Sequence, residues 1–203
     1  MTVRVITAPA YEPVTLNECK LNMFGSTTFT ADDALISALI KVARQYAENY
    51  TRRAFVQRTL ELTLPYWPSG GIIELPLPPL QSITHIKYID TAGATQTVDS
   101  ADYQVDTYRA PGLVKPVYNE TWNATRDDFN AVQVRYVAGY ATGSPDDQSS
   151  AAENIPDSIK HWIKVRVATL YEHREAVYAG AGASAIPRDF VDGLLDPYVV
   201  SSF

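Results

Sequence analysis

Three histidines, one cysteine and a few acidic pairs are the side chains of this 203-residue sequence that could build a reactive or metal-binding centre. His85 sits in an alternating apolar stretch beside Ile83 and Ile86, with no ligand partner spaced near it. His161 and His173 stand twelve apart on one predicted helix, whereas two helical histidines that chelate a metal stand four apart. Structural or surface roles are expected for all three. Glu172, His173 and Glu175 can be drawn as an acid–base set, and equally as a solvated helix face. Cys19 stands alone, so an internal disulfide and a Cys₂ or Cys₄ zinc site are excluded. Its place on the apolar side of a short helix predicts a buried structural thiol. Asp32–Asp33 suits a helix N-terminus, while Asp127–Asp128 and Asp146–Asp147 fall in loops without calcium-loop spacing. The sequence holds no Gly-x-Ser-x-Gly, no phosphate-binding glycine loop and no His-Glu-x-x-His. Gly180 and Gly182 follow a helix rather than precede one, which makes them a hinge, not a phosphate cradle. No catalytic residue, no metal and no cofactor is expected.

The elements that must carry these residues read as helix, helix, strands, helix. Residues 15–23 predict a short helix, with Thr15 as cap and Glu18 at the capping-box spacing. Residues 31–53 predict a long one, capped by Thr30, with Leu35, Leu39, Val42, Tyr46 and Tyr50 spaced as one buried face and Ile36, Ile40 and Ala43 broadening it. From 55 to 140 the texture changes. Alternation at 59–64, 72–75, 82–90, 95–98, 103–106, 112–115 and 131–137, broken by Pro and Gly, predicts a small antiparallel sheet or barrel. Residues 141–154 are polar and patternless, and read as a mobile linker. Residues 156–178 predict a second long helix, its core stripe formed by Ile159, Trp162, Ile163, Val167, Leu170 and Tyr171. A last short helix is expected at 188–195, stopped by Pro197. The fold class expected is α+β: a bundle of about four helices (1–54 and 155–203) interrupted by an inserted antiparallel β-rich module (55–140).

Composition narrows the partners. The hydrophobic fraction of 46% and charged fraction of 20% fit a globular chain and exclude global disorder. No apolar run approaches the ~20 residues that cross a bilayer, and the first ten residues lack a signal-peptide core, so a soluble, non-secreted protein is expected. Net charge is −6, with the β-rich middle the acidic part. That argues against a free-standing nucleic-acid binder. Lys160, Lys164 and Arg174 with Trp162 and Tyr171 could touch nucleic acid by charge and stacking, but the two aromatics belong to the apolar stripe. Tyr198, Val199, Val200 and Phe203 form an apolar tail behind the 179–185 Gly/Ala stretch. It reads either as an arm that docks on a partner or as a segment folded back on its own helices.

An ordered set of short motifs runs through nearly the whole chain. Pro13-Val14-Thr15-Leu16 with Glu18 opens the first helix, and Asp32-Asp33-Ala34-Leu35-Ile36 the second. Ala47-Glu48-Asn49-Tyr50-Thr51-Arg52-Arg53-Ala54 closes it. Leu75-Pro76, Pro78-Pro79-Leu80-Gln81-Ser82-Ile83 and Ile86-Lys87-Tyr88-Ile89-Asp90 follow, then Asp102-Tyr103 and Val134-Arg135-Tyr136-Val137-Ala138-Gly139-Tyr140. Ile155-Pro156, Tyr171-Glu172-His173-Arg174-Glu175-Ala176 and Leu194-Leu195-Asp196-Pro197-Tyr198 complete the set, with 107–130 and 141–154 departing most. In this order the motifs resemble the head–tail connector (adaptor, or head-completion) proteins of tailed bacteriophages and prophages.

The resemblance implies a non-enzymatic virion protein, made in the host bacterial cytoplasm and built into the neck. Such proteins form a ring, usually twelve-fold, beneath the portal protein. The ring prolongs the channel for double-stranded DNA, which passes without sequence recognition, and offers a surface to a stopper or tail-terminator protein. Portal contact is expected of the C-terminal segment, through Phe190, Leu194, Leu195, Tyr198, Val199, Val200 and Phe203, with Gly180 and Gly182 as hinge. A stopper or tail-completion protein of the same neck is the nearest alternative. A small hydrolase and a DNA-binding accessory protein are the other readings.

Overall fold

Thr2–Thr7 alternates residue by residue and pairs antiparallel with Arg58–Leu64, so the chain opens in a strand, β1, hydrogen-bonded to β2. The computed structural model describes residues 2–140, 154–173 and 192–201. It divides into two units: residues 1–10 with 57–140, and residues 11–56 with 141–203. Residues 1–10 therefore leave the helical region to which the sequence reading assigned them. The expected linker at 141–154 lies outside the described residues apart from Asn154.

The first unit is antiparallel β. After β2 come β3 (Ile73–Leu75), β4 (Leu80–Ile89), β5 (Thr95–Thr97), β6 (Tyr103–Asp106), β7 (Gly112–Pro116) and β8 (Val132–Ala138). They form a five-stranded sheet in the order β1-β2-β8-β4-β5 and a three-stranded sheet in the order β3-β7-β6. The period-two alternation sends Leu60, Leu62, Val132, Val134, Tyr136 and Ile86 to one face, where all are buried. Tyr136 is wholly enclosed, and its hydroxyl donates to the Pro76 carbonyl at 2.8 Å. Gly112 of β7 lies so close to Leu80 of β4 that an added Cβ would stand 2.6 Å from that side chain.

The opposite face of the larger sheet carries one charged row. The register sets Arg4, Glu61, Arg135 and His85 side by side across β1, β2, β8 and β4. Arg4 Nη2 donates to Glu61 Oε1 at 2.6 Å, and Arg135 donates to Glu61 Oε2 through Nη2 at 2.6 Å and Nε at 3.1 Å. Burial works to raise the Glu61 pKa, but the two arginines outweigh it and hold the carboxyl below its ordinary value.

The second unit is helical. In α1 (Leu16–Phe24) the Thr15 hydroxyl accepts from the Glu18 N–H and the Glu18 carboxylate accepts from the Thr15 N–H, a complete capping box. Gly25 ends α1 at φ +64°, the left-handed geometry that glycine tolerates. The next helix, α2, spans Asp33–Thr51, and α3 spans Asp157–Glu172. Three α-helices are thus present among the described residues, not four. Of the expected helix at 188–195, residues 192–194 form a 3₁₀ turn and 188–191 lie outside the described residues. Pro197 does not stop a helix. It sits at the second position of a second 3₁₀ turn, Asp196–Tyr198, within the first turn, where its missing N–H and fixed φ are tolerated. The cap of α2 is Asp32 rather than Thr30, and its last turn closes at Arg52 in the left-handed region, φ 55°.

The apolar stripe expected to be the core of α2 is displaced around the helix. Leu35, Val42, Tyr46 and Tyr50 are exposed and Leu39 is half-buried, whereas Ile36, Ile40, Ala43, Ala47 and Thr51 are buried. The inner face thus keeps Ile36, Ile40 and Ala43, which were expected to broaden the stripe, and adds Ala47, Thr51 and two charged residues. Arg44 Nε donates to Glu12 at 2.6 Å and Arg44 Nη1 to Glu48 at 2.8 Å, while Glu48 also accepts from the Phe55 N–H at 2.9 Å. A hydropathy stripe passes over such residues. On α3, Ile159, Trp162, Ile163 and Val167 are buried and Leu170 and Tyr171 half-buried.

Two substitutions test these networks. Arg44→Met leaves two carboxylates facing each other near the core, and a loss of about 3 kcal/mol is expected in urea unfolding. A loss under about 0.5 kcal/mol, the level of an ordinary surface change, contradicts the network. Glu61→Gln should cost about 1–3 kcal/mol at neutral pH. Because folding lowers the Glu61 pKa, its contribution is present above the ordinary glutamate value of 4.5 and is lost as pH falls through the lower folded value. The stability gap between wild type and Glu61→Gln should therefore shrink in acid, and a gap independent of pH contradicts the assignment.

Candidate interaction surfaces

The residues with chemical potential are scattered. Cys19 is fully buried in α1, and burial first, then the neighbouring Glu18, pushes its thiol up to about 12. Lys164 opposes this only in part. The thiolate that a nucleophile requires is suppressed at neutral pH. His85 lies beside Arg135 in the charged row. Burial first, then Lys87 and Arg135, lowers its pKa below the ordinary histidine value, against the pull of Glu61. His161 and Glu172 are exposed on α3, and His173 is the exposed residue that ends it. Glu175 lies outside the described residues. Among the described residues no three His, Cys, Asp or Glu side chains come together as a metal site. The acidic pairs are engaged locally: Asp32 accepts from the Tyr171 hydroxyl, Asp33 from Lys20 at 2.8 Å, and Asp128 from the Phe129 N–H at 2.9 Å. Asp146–Asp147 lies outside the described residues. No helix among the described residues is long and apolar enough to cross a membrane.

Residues 196–200 of the C-terminal segment are strapped to the end of α2. Leu195 is fully buried. The Tyr50 hydroxyl donates to Asp196 at 2.7 Å, Arg53 Nε donates to the Tyr198 carbonyl, and Ser158 donates to the Tyr198 hydroxyl at 3.0 Å. The Val200 N–H donates to the Thr51 carbonyl at 3.0 Å, satisfying one of the carbonyls that a helix end leaves open. Leu195 thus serves the interior. Leu194, Tyr198 and Val200 are half-buried, and Val199 is exposed. Phe190, Phe203, Gly180 and Gly182 lie outside the described residues.

Among the described residues, both units expose apolar side chains. In the β-unit, Trp67 and Trp122 stack at 4.5 Å. Each indole N–H donates to a loop carbonyl, Trp67 to Asn123 at 2.8 Å and Trp122 to Gly71 at 2.7 Å. This pair stitches the loops 65–72 and 117–131 together. From those loops Tyr66, Tyr118 and Phe129 project, the last two 86% and 90% exposed. In the helical unit, Leu35 and Val42 of α2 are exposed, while the Tyr46 ring is stacked on Trp162 at 5.7 Å with the Arg166 guanidinium over it. Composition alone did not separate these surfaces from core, because the same residue types fill both. Glu61, Arg44 and Glu48 were missed as well. The i,i+4 spacing of Arg44 and Glu48 and the alternation of Thr2–Thr7 were the available signals.

No protein family and no curated protein matches the sequence. Solved structures do. The chain is similar, over 100% of its length and 97% of the other chain, to one in the virion of a native gene transfer agent (GTA) particle, at 20% identity and TM-score 0.79. It is similar over the same shares to a chain in the neck of an empty GTA particle computed with C6 symmetry, at 21% identity and TM-score 0.78. A chain in the neck of a native GTA particle computed with C12 symmetry gives 20% identity and TM-score 0.67. The chain shares the fold of these phage-like particle proteins from end to end.

Proposed function

We propose that this chain is a structural, non-enzymatic neck protein of a phage-like particle, one of a ring of copies. The observation that carries the reading is the end-to-end fold match to chains from GTA necks. A ring joins unlike patches of neighbouring copies, and each unit of this chain offers one. Twelve copies is the number proposed, following the C12 symmetry of one such neck.

Within the neck we assign the adaptor position, between the portal protein and the stopper or tail-terminator protein below. Double-stranded DNA passes through its lumen without sequence recognition. The acidic balance of the chain favours sliding over gripping, because like charge gives no counterion-release binding to phosphates. For portal contact we retain the exposed Val199 and the end of the chain beyond it, and not Leu195, which the core holds.

Reconstruction of the particle neck is expected to place a ring of this chain directly against the portal. A particle whose neck lacks the chain overturns the function, and a position one ring lower converts the adaptor into a stopper. For the tail, Val199→Ser combined with deletion of 202–203 should weaken binding to purified portal rings about tenfold or more while leaving the melting temperature unchanged. Full retained affinity removes the C-terminal contact.

A further inference from the structure

Four strands flank the two sheets of the β-unit: β1 and β5 the larger, β3 and β6 the smaller. The outer side of such a strand offers a row of unpaired N–H and C=O groups, which proteins blunt with short strands, proline, bulges or a covering layer. β5 is three residues long, Thr-Gln-Thr, with no apolar side chain to bury. β3 is also three residues long, its Ile73 and Leu75 are already buried, and Pro76 follows directly. β1 and β6 hold six and four residues and no proline, and each leaves a valine uncovered. The register sets Val5 opposite Leu60 and Val105 opposite Val114, both wholly buried, so each valine belongs to the apolar side of its sheet. Yet Val5 is 53% and Val105 39% exposed. Beside each valine, on the other side of the sheet, stands a charge: Arg4 in β1 and Asp106 in β6. Arg4 shares Glu61 with Arg135, so two guanidiniums face one carboxylate, and the Arg4 side chain is 68% exposed. Asp106 accepts from the Tyr108 N–H at 2.9 Å and makes no ion pair among the described residues.

We infer that β6 of one copy adds antiparallel to the free side of β1 of the next, joining the sheets of adjacent copies. The inference rests on the ring reading above. The two strands are complementary in a single register: the antiparallel pairing that sets Val5 opposite Val105 also sets Arg4 opposite Asp106. Opposite residues share a side of the sheet, so the valines cover each other and the acid meets the arginine row. A slip of one residue loses both contacts. Unpaired backbone groups call for an extended strand as occupant, and the charge on Arg4 for an acidic one. Within one copy β1 pairs with β2 and β6 with β7, in separate sheets, so the match is made between copies. Two unlike strands joined in this way repeat around a ring, whereas β1 against β1 would stop at two copies. The register shift between Val5 and Thr7 keeps the ladder short, which suits subunits that stay apart until they assemble.

The test uses the full chain in cells that produce the particle. Val5→Cys and Val105→Cys are made together and singly, and purified particles are treated with a mild oxidant. Directly opposite residues stand within reach of a disulfide, and the native Cys19 is buried and does not compete. The double variant is expected to move most of its copies from the monomer band to a ladder of dimers, trimers and larger multimers on a non-reducing gel. Each single variant should stay monomeric, and Val5→Cys with Gln104→Cys, one step out of register, should crosslink about tenfold less. Where the double variant melts early or fails to enter particles, a photo-crosslinking residue at position 105 decides, with an adduct expected at residues 3–6 of a second copy. A disulfide closed within one copy, dimers from Val5→Cys alone, monomer throughout in a well-folded double variant, or an adduct elsewhere overturns the strand contact. A ring in wild-type particles then leaves the neck function standing. Wild-type particles without a ring of this chain overturn both.

Discussion

A guanidinium that is 6% exposed cannot remain charged inside a protein unless anions surround it, and the helical unit is arranged around that requirement. Arg44 sits in the middle of α2 and is met by Glu12 from the segment that leads into α1 and by Glu48 one turn further along. Glu48 in turn holds the backbone N–H of Phe55, just past the end of α2. One cation thus fixes how the chain enters the unit, the helix itself and how the chain leaves. Leu35 and Val42 of α2 stay exposed because the inner side is committed to this network and to the apolar residues beside it. The strap formed by residues 196–200 then closes the C-terminal end of the same helix.

The β-unit meets the same difficulty with the signs reversed. There a carboxylate is enclosed and two arginines supply the compensation, one from each neighbouring strand. The pairing is specific to register: a shift of one residue would send Glu61 to the apolar face and Leu60 or Leu62 to the charged one. The row therefore helps to specify strand order as well as to hold it.

What could be read from the sequence follows from how local each signal is. The capping box at Thr15 and Glu18 and the strand alternations of 58–138 depend on neighbours a few residues apart, and the structure contains them. The buried face of α2 depends on what packs against it. Ile36, Ile40 and Ala43, the expected flank of the stripe, are buried, but Ala47 and two buried charges look like a surface to hydropathy, and Leu35, Val42 and Tyr46 look like a core. That inversion is itself informative, since apolar residues left outside are where a partner is to be sought. The C-terminal segment is a similar case. Tyr198 and Leu195 are apolar enough for a docking arm, but only the open carbonyl of Thr51 and the positions of Arg53 and Ser158 decide that they turn inward. Strand β1 was within reach of the alternation rule and was obscured by the helices that follow it directly.

The path of the chain between the two units has a consequence for how the molecule can be divided. The chain begins in the sheet, leaves it after residue 10, returns at residue 57 and departs again after residue 140. A clone of 57–140 would therefore end with β2 as a naked border, its backbone donors and acceptors free to recruit strands from other molecules. Excision would yield an aggregating fragment, not a portable module. Recombination between related genes must exchange both stretches of the sheet together, and biosynthesis from the N-terminus leaves the first strand waiting through the whole of α1 and α2 for its partner.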